Sequence, residues 1–182
     1  MLETPRLLLR PWQTRDYPEF AKLNTDPKVI EFLPACLSVD ASNALAQRLQ
    51  TLIAQQGWGF WAVELKIKHV FIGFVGLNPV HSALPFSPNI EIGWRLSSAY
   101  WGQGLATEAA QATVQFGFND LQLTEIVAFT ALGNLRSQAV MQRLGMQQGA
   151  LNFKHPSLAK DHPLAEHCLY RLSRAPYQHI HT

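Results

Sequence analysis

Apolar residues recur along this chain with two different periods, and the switches between them mark out its elements. Ile90, Ile92, Trp94 and Leu96 alternate with other residues, which predicts a strand over residues 89–96 with one strongly apolar face. Leu105, Ala109, Ala112 and Phe116 then fall at helical spacing. Tyr100-Trp101-Gly102-Gln103-Gly104 lies between them, so this unit reads as strand, short glycine loop, helix.

The same reading orders the rest of the chain. Arg6 to Pro11 predicts a first strand, closed by Pro11. Thr14 or Asp16 caps a helix reaching about Asn24, and Asp26-Pro27 breaks it. Val29, Ile30, Phe32 and Leu33 form a short apolar patch. Ser38 or Asp40 opens a second helix with Leu45, Leu49, Leu52 and Ile53 inward, and Gly57 ends it. Trp58–Leu65 and Val70–Leu77 predict an antiparallel hairpin, apolar on both faces, with Gly73 and Gly76 marking bulges or close helix approach. Residues 81–88 are a loop. Glu125–Thr130 predicts a strand, and Gly133-Asn134 opens a short helix ending at Gly145. The segment through Ala165 has little pattern. Glu166–Leu172 predicts a last strand with Cys168, Tyr170 and Leu172 on one face, and a loose tail follows Ala175. Helices interleaved with strands in this order predict an α/β (α+β) fold, a mixed sheet with helices on both faces.

Composition narrows the classes. A length of 182 residues fits a single domain spanning 1–182, with room for a substantial core. A formal charge of +2, with no basic cluster, argues against a nucleic-acid or membrane partner. Cys36 and Cys168 lack metal spacing and read as reduced thiols of a cytoplasmic protein. No apolar leader and no membrane-length apolar span occur in the sequence.

The glycine loop is where chemistry is expected. Gly102 and Gly104 allow unusual φ and close approach of a ligand to the backbone. The first N–H groups of the following helix lack intrahelical partners, and the dipole there favours an anion. The loop therefore reads as a main-chain phosphate cradle; on spacing alone, an empty strand-to-helix turn is the alternative. It is not a Walker A loop, since no Gly-Lys-Ser/Thr follows, nor a dinucleotide fingerprint, since position 107 is Thr.

Four pieces together resemble one family. They are Thr4-Pro5-Arg6-Leu7-Leu8-Leu9-Arg10, Ile72-Gly73-Phe74-Val75-Gly76-Leu77, the stretch from Tyr100 to Ala109, and Asn134-x-x-Ser137 followed by Leu144-Gly145-Met146. In this order they resemble the GNAT superfamily of acyl-CoA N-acyltransferases, closest to its ribosomal-protein N-terminal acetyltransferase branch. The resemblance spans nearly the whole chain. It implies a mixed sheet of about six to seven strands with a splay between two parallel strands. It implies acetyl-CoA as cosubstrate, with no metal, and direct acetyl transfer to an amine on a small molecule or a protein N-terminus. Main-chain groups near Leu96 would hold the pantetheine arm and offer an N–H to the oxyanion. The amides of Trp101, Gly102, Gln103, Gly104, Leu105, Ala106 and Thr107 would hold the diphosphate.

Residue roles follow from the same resemblance. Glu91, on the strand face opposite Ile90 and Ile92, is the candidate base, or else a structural carboxylate paired with a neighbour such as Arg95. Asn134 matches the family's cofactor-contacting Asn, and is also a good helix cap. Ser137 stands where this branch often places a Ser near the CoA sulfur, or else bonds its own backbone. Met141 occupies the position where many members carry a Tyr general acid, and Met cannot donate a proton. Tyr100 and Tyr170 are the other phenols considered. His155, His162 and His167 read as polar loop residues or acceptor-site bases rather than ligands, because their spacings match no usual metal set. Trp58, Phe60, Trp61 and Trp94 read as core, and Trp101 as able to pack on the cofactor. The competing reading is a GNAT-fold module that binds acyl-CoA with weak or no catalysis. A P-loop nucleotide-binding protein is disfavoured by the missing Lys-Ser/Thr. A monomer or a homodimer fits equally.

Overall fold

The computed structural model describes residues 1–175 and 177, and these fall into two compact units. The first joins Met1–Leu77 to Gly93–Thr113; the second joins Asn78–Ile92 to the chain from Val114 onward.

In the first unit, β1 (Leu2–Glu3), β2 (Leu7–Arg10), β3 (Phe60–Leu65) and β4 (Val70–Pro79, whose last two residues belong to the second unit) pair antiparallel in that order. Leu7 and Leu9 face one way along β2, and both are fully buried. Three helices follow β2: α1 (Tyr17–Leu23), α2 (Pro27–Ile30) and α3 (Val39–Gln56). Trp12 and Phe20 pack edge to face at 4.9 Å, and both rings meet Phe71 and Phe74.

The helix ends follow from their sequences. Ser38 caps α3 by accepting from the Ala41 amide at 3.1 Å, and Gly57 closes it with φ +82°. Its buried stripe is Ser42, Ala46, Leu49 and Ile53; the expected Leu45 and Leu52 lie half-buried on the flank. Asp26-Pro27 ends one helix but also starts α2. Asp26 accepts from the Lys28 amide at 2.9 Å, and Pro27 occupies the first turn, where its missing N–H costs nothing.

Gly73 and Gly76 make close approaches to strand backbone, where the sequence allowed for a helix. A Cβ at Gly73 would fall 2.1 Å from the Arg95 carbonyl oxygen, and one at Gly76 would fall 1.9 Å from that of Gly59. The β3–β4 register shifts at Val63/Glu64, beside Gly73.

One charge cluster is fully inside this unit. Arg10 donates to both Asp16 oxygens at 2.7 and 2.8 Å and to Glu64 Oε2 at 2.8 Å. The expected capping carboxylate of Asp16 is thus spent mainly on a guanidinium.

In the second unit, β5 (Ile90–Leu96, shared between units) begins beside β6 (Glu125–Ala131) in parallel, with Glu91 in register with Val127. β9 (Glu166–Ser173) pairs antiparallel with β6 along its length. Two short strands, β7 (Gln147–Gln148) and β8 (Phe153–Lys154), pair with β9 inside the segment that shows little pattern in the sequence. The helices here are the end of α4 (Leu105–Asn119) and α5 (Leu135–Arg143). A core of Val80, Leu84, Phe86, Val127 and Leu169 is flanked by Phe129 and Phe153.

Pairing is parallel at β5–β6 in an otherwise antiparallel set of strands, the mixed α/β sheet that the resemblance implies. Trp58, Phe60 and Trp94 are half-buried rather than core, and Trp61 is buried. Cys36 is exposed, Cys168 is buried, and both are free. No helix among the described residues is long and apolar enough to cross a membrane. The tail after Ala175, expected to be loose, lies outside the described residues apart from Tyr177.

Candidate active site

β5 runs out at Leu96, and Ser97 ties its end to β4 by donating its amide to the Ile72 carbonyl at 2.9 Å. A short turn over Ser98–Tyr100 leads into the glycine loop. Gly102 and Gly104 both adopt left-handed backbone, with φ +73° and +76°. A Cβ at Gly102 would meet nothing within 4 Å, and one at Gly104 would meet Arg6 Nη2 at 3.6 Å. The loop surface is therefore open, and residues 102–104 are exposed.

α4 starts at Leu105, and the Glu108 amide donates to the Gly104 carbonyl at 3.0 Å. The amides of Leu105, Ala106 and Thr107 precede that bond, as the first amides of any helix must. Exposed glycines, open space and unspent amides at a helix N-terminus fit a diphosphate.

The loop is held from behind by residues to which the sequence reading gave no role. Glu108 accepts from the Arg6 amide at 2.9 Å, from Arg6 Nε at 2.6 Å and from the Thr4 hydroxyl at 2.6 Å. Arg6 Nη1 reaches the Gln103 carbonyl at 2.9 Å. Burial pushes the Glu108 carboxyl up, but the hydrogen bonds from Thr4 and Arg6 outweigh it and hold it below the usual carboxylate range. A negative side chain in the first turn would compete with an anion there; Arg6 neutralises it. The signal available in the sequence was the Thr4-Pro5-Arg6 opening, recognisable only as a family piece.

Trp101 does not lie loose on the loop. Its indole N–H donates to the Leu96 carbonyl at 2.8 Å, which spends that oxygen and leaves the Leu96 amide as the group considered above.

Glu91 lies near the start of β5 in the second unit. Asn78 Nδ2 donates to Glu91 Oε1 at 2.9 Å. Burial pushes the Glu91 carboxyl up, and the Asn78 bond only partly opposes that. Glu91 does not pair with Arg95, whose partner is Asn24. A half-buried carboxylate with raised pKa is a better proton acceptor than an ordinary one.

Asn134 caps α5. Its Oδ1 accepts from the Ser137 amide at 3.2 Å, and its Nδ2 donates to the Thr130 hydroxyl at 3.0 Å. Ser137 is half-buried in the first turn. Met141 is 2% exposed and belongs to the core. The Tyr170 hydroxyl is engaged at 3.1 Å from Gln148 Oε1 and 3.4 Å from Gln138 Oε1. Tyr100 instead lines a cavity of about 610 Å³ in the first unit, with Arg15, Lys22 and His69.

The rings of His155 and His167 lie 5.1 Å apart, tilted by 44°, beside Phe129, and His162 Nδ1 accepts from the Leu164 amide at 3.0 Å. Burial lowers the pKa of His155 and of His167. No group of three His, Cys, Asp or Glu among the described residues is placed to hold a metal ion.

Residues 6–147 match the model of the acetyltransferase (GNAT) domain. The chain belongs to the GNAT acetyltransferase family. A Bacillus subtilis relative, YkkB, is 30% identical over 146 residues, covering 80% of this chain and 84% of its own. A GNAT acetyltransferase structure from Bacillus anthracis superposes with a TM-score of 0.79 at 22% identity, covering 94% of this chain and 97% of the other. RimL, the ribosomal L7/L12 α-N-protein acetyltransferase, solved with coenzyme A, gives a TM-score of 0.75 at 18% identity over 93% and 95% of the two chains. The GNAT match runs from β2 to the start of β7, and so includes the strand, loop and helix described above.

Proposed function

We propose that this GNAT protein is an N-acetyltransferase that moves acetyl from acetyl-CoA directly to a primary amine, on a small molecule or a protein N-terminus, and that residues 1–182 act as one catalytic domain. The observation that carries the reading is the open glycine turn ahead of α4, where amides with no helical partner adjoin exposed residues 102–104.

Acetyl-CoA supplies an acetyl group activated as a thioester. The amides of residues 101–107 bind its diphosphate, with Gly102, Gln103 and Gly104 giving access and Leu105, Ala106 and Thr107 providing helix N-terminal donors. Main chain at Leu96 receives the pantetheine arm, and the Leu96 amide faces the oxyanion. Asn134 and Ser137, fixed at the start of α5, contact the cosubstrate.

An amine attacks only when neutral. Glu91, with its carboxyl already pushed up by burial, takes that proton directly or through a water. The new C–N bond forms as the C–S bond breaks, and the departing thiolate is reprotonated. Ser137 is the donor proposed for that last proton.

A second reading has one observation in its favour. Met141 is buried where many GNAT members carry a phenol, and the Tyr170 hydroxyl is engaged by two glutamines. A chain without that acid could bind acyl-CoA and turn it over poorly, as a sensor or a partner-binding subunit.

Thiol release from acetyl-CoA, screened against polyamines, aminoglycosides and peptides with free N-termini, separates the two. Amine-dependent release supports the transferase. CoA binding by calorimetry with no release for any amine supports the binding module.

A further inference from the structure

The first unit holds a cavity of about 610 Å³ that the proposed transfer does not use. Helix α1, the start of β4 and the turn after β5 wall it, through Leu23, Phe71, Ile72 and Tyr100 among others. Leu23 and Ile72 are buried, and the Phe71 ring lies 5.4 Å from that of Trp12, so one wall is apolar and fixed by packing. Arg15, Lys22 and His69 line the open side, with side chains 62%, 72% and 82% exposed.

The polar groups around this space are unevenly used. Three carboxylates line it, those of Asp16, Glu19 and Asp26. Asp16 accepts two bonds from Arg10, at 2.7 and 2.8 Å, and the Gln13 amide at 2.8 Å. Asp26 accepts the Lys28 amide at 2.9 Å and the Ser98 hydroxyl at 2.5 Å. Glu19 keeps one oxygen, its other being bonded by Lys22 at 2.6 Å.

Donors are in surplus. Lys22 gives Glu19 one of its N–H groups and keeps the rest. Arg15 gives Nη2 to Glu64 at 3.1 Å and keeps the remainder of its fork. Both ties leave the cation exposed, so both are weak. The Tyr100 hydroxyl makes no hydrogen bond among the described residues. An apolar wall, spare cationic donors and committed carboxylates fit a ligand that is rich in acceptors at one end and apolar at the other.

The cavity also borders the route into the glycine loop. Asp26 holds Ser98 from one side of the Ser98–Tyr100 turn, Tyr100 closes the other, and Trp101 and Gly102 follow directly. We infer that the cavity binds a small organic anion with an apolar body, such as an aryl-substituted carboxylate, and that its occupancy tightens coenzyme A binding by holding this turn. The coupling rests on the reading of residues 101–107 as the diphosphate cradle; the anion site itself does not.

The test uses the full chain without acetyl-CoA and three probes of one shape, 3-phenylpropionate, 3-phenylpropionamide and 3-phenylpropylamine. By calorimetry, wild type should bind the acid about tenfold or more tighter than the amide. The double variant Arg15→Gln/Lys22→Gln should weaken the acid about tenfold and leave the amide unchanged. Lys22→Gln alone should show part of that loss, and Glu19→Gln should show none. Equal binding of acid and amide, no binding of the acid, or an acid preference that survives the double variant overturns the anion site. So does tighter binding of the amine that Glu19→Gln abolishes, which would make the cavity a cation site.

A second arm titrates coenzyme A and 3′-dephospho-CoA with and without saturating 3-phenylpropionate. The acid should tighten coenzyme A by about threefold or more, and coenzyme A should tighten the acid by the same factor. Unchanged coenzyme A affinity with the acid bound overturns the coupling. A loss of coenzyme A affinity in the double variant that 3′-dephospho-CoA does not share would assign these donors to the coenzyme's own phosphate, and overturns the inference. If wild type binds no coenzyme A, the cradle reading fails and the first arm alone decides the cavity.

Discussion

Asn78 Nδ2 donates to Glu91 Oε1 at 2.9 Å, and this bond favours the ionised carboxylate against the burial that disfavours it. The Glu91 carboxyl sits above its ordinary range because burial wins. As a base it works ionised, so the rate should rise with pH through that raised pKa. Asn78→Ala removes the opposing bond and should move the acid limb of the kcat/KM–pH profile further up, lowering the rate at neutral pH. Glu91→Gln should abolish that limb with little change in CoA affinity. Superimposable profiles for wild type and Glu91→Gln would remove Glu91 as the base.

The clamp behind the loop predicts a binding effect without a contact. Arg6 and Thr4 together hold Glu108, and Arg6 also holds the Gln103 carbonyl. Arg6→Ala should leave the Glu108 charge beside the diphosphate and free the loop. We expect CoA to bind about tenfold more weakly by calorimetry, a change of about 1.4 kcal/mol. The double variant Arg6→Ala/Glu108→Gln should recover part of that loss, because the repulsion is gone. No recovery would mean that the clamp acts by shape alone.

Stability should depend on the buried charges near β2. Arg10 and Asp16 have side chains 5% and 1% exposed. Removing one partner strands the other, so Arg10→Met should cost about 3–5 kcal/mol in urea unfolding. Burial raises the Glu64 carboxyl, but the bond and charge of Arg10, helped by His69 and Arg15, together outweigh it and the folded pKa lies below the ordinary value. Its contribution is therefore present above the unfolded-state pKa and lost as pH falls through the lowered one. The acid limb of the stability–pH curve should flatten in Arg10→Met.

Much of this arrangement was legible in the sequence, for local reasons. Period-two alternation marked β5, and Gly102 and Gly104 marked the turn that their positive φ values require. Ser38 and Gly57 framed α3 because capping is set by a few neighbouring residues. The losses are mostly long-range. Nothing near Arg6 in sequence announces Glu108, over a hundred residues away, and nothing near Arg95 announces Asn24. Two-residue strands such as β7 and β8 form because β9 offers an edge, and they carry no periodicity of their own. Trp101 illustrates a different limit. Its ring was legible as a loop residue, but its N–H finds a carbonyl through a fold-dependent turn.

The account depends most on the main-chain amides of the glycine turn. Calorimetric titration of coenzyme A into wild type and Gly104→Val, with circular dichroism confirming the fold, tests it most directly. The φ of +76° strains any side chain at this position, and a branched one would stand on the open loop surface where the diphosphate is proposed to bind. The account predicts tight binding to wild type and a loss of about a hundredfold or more in the variant. Equal affinity in a folded Gly104→Val protein would contradict it.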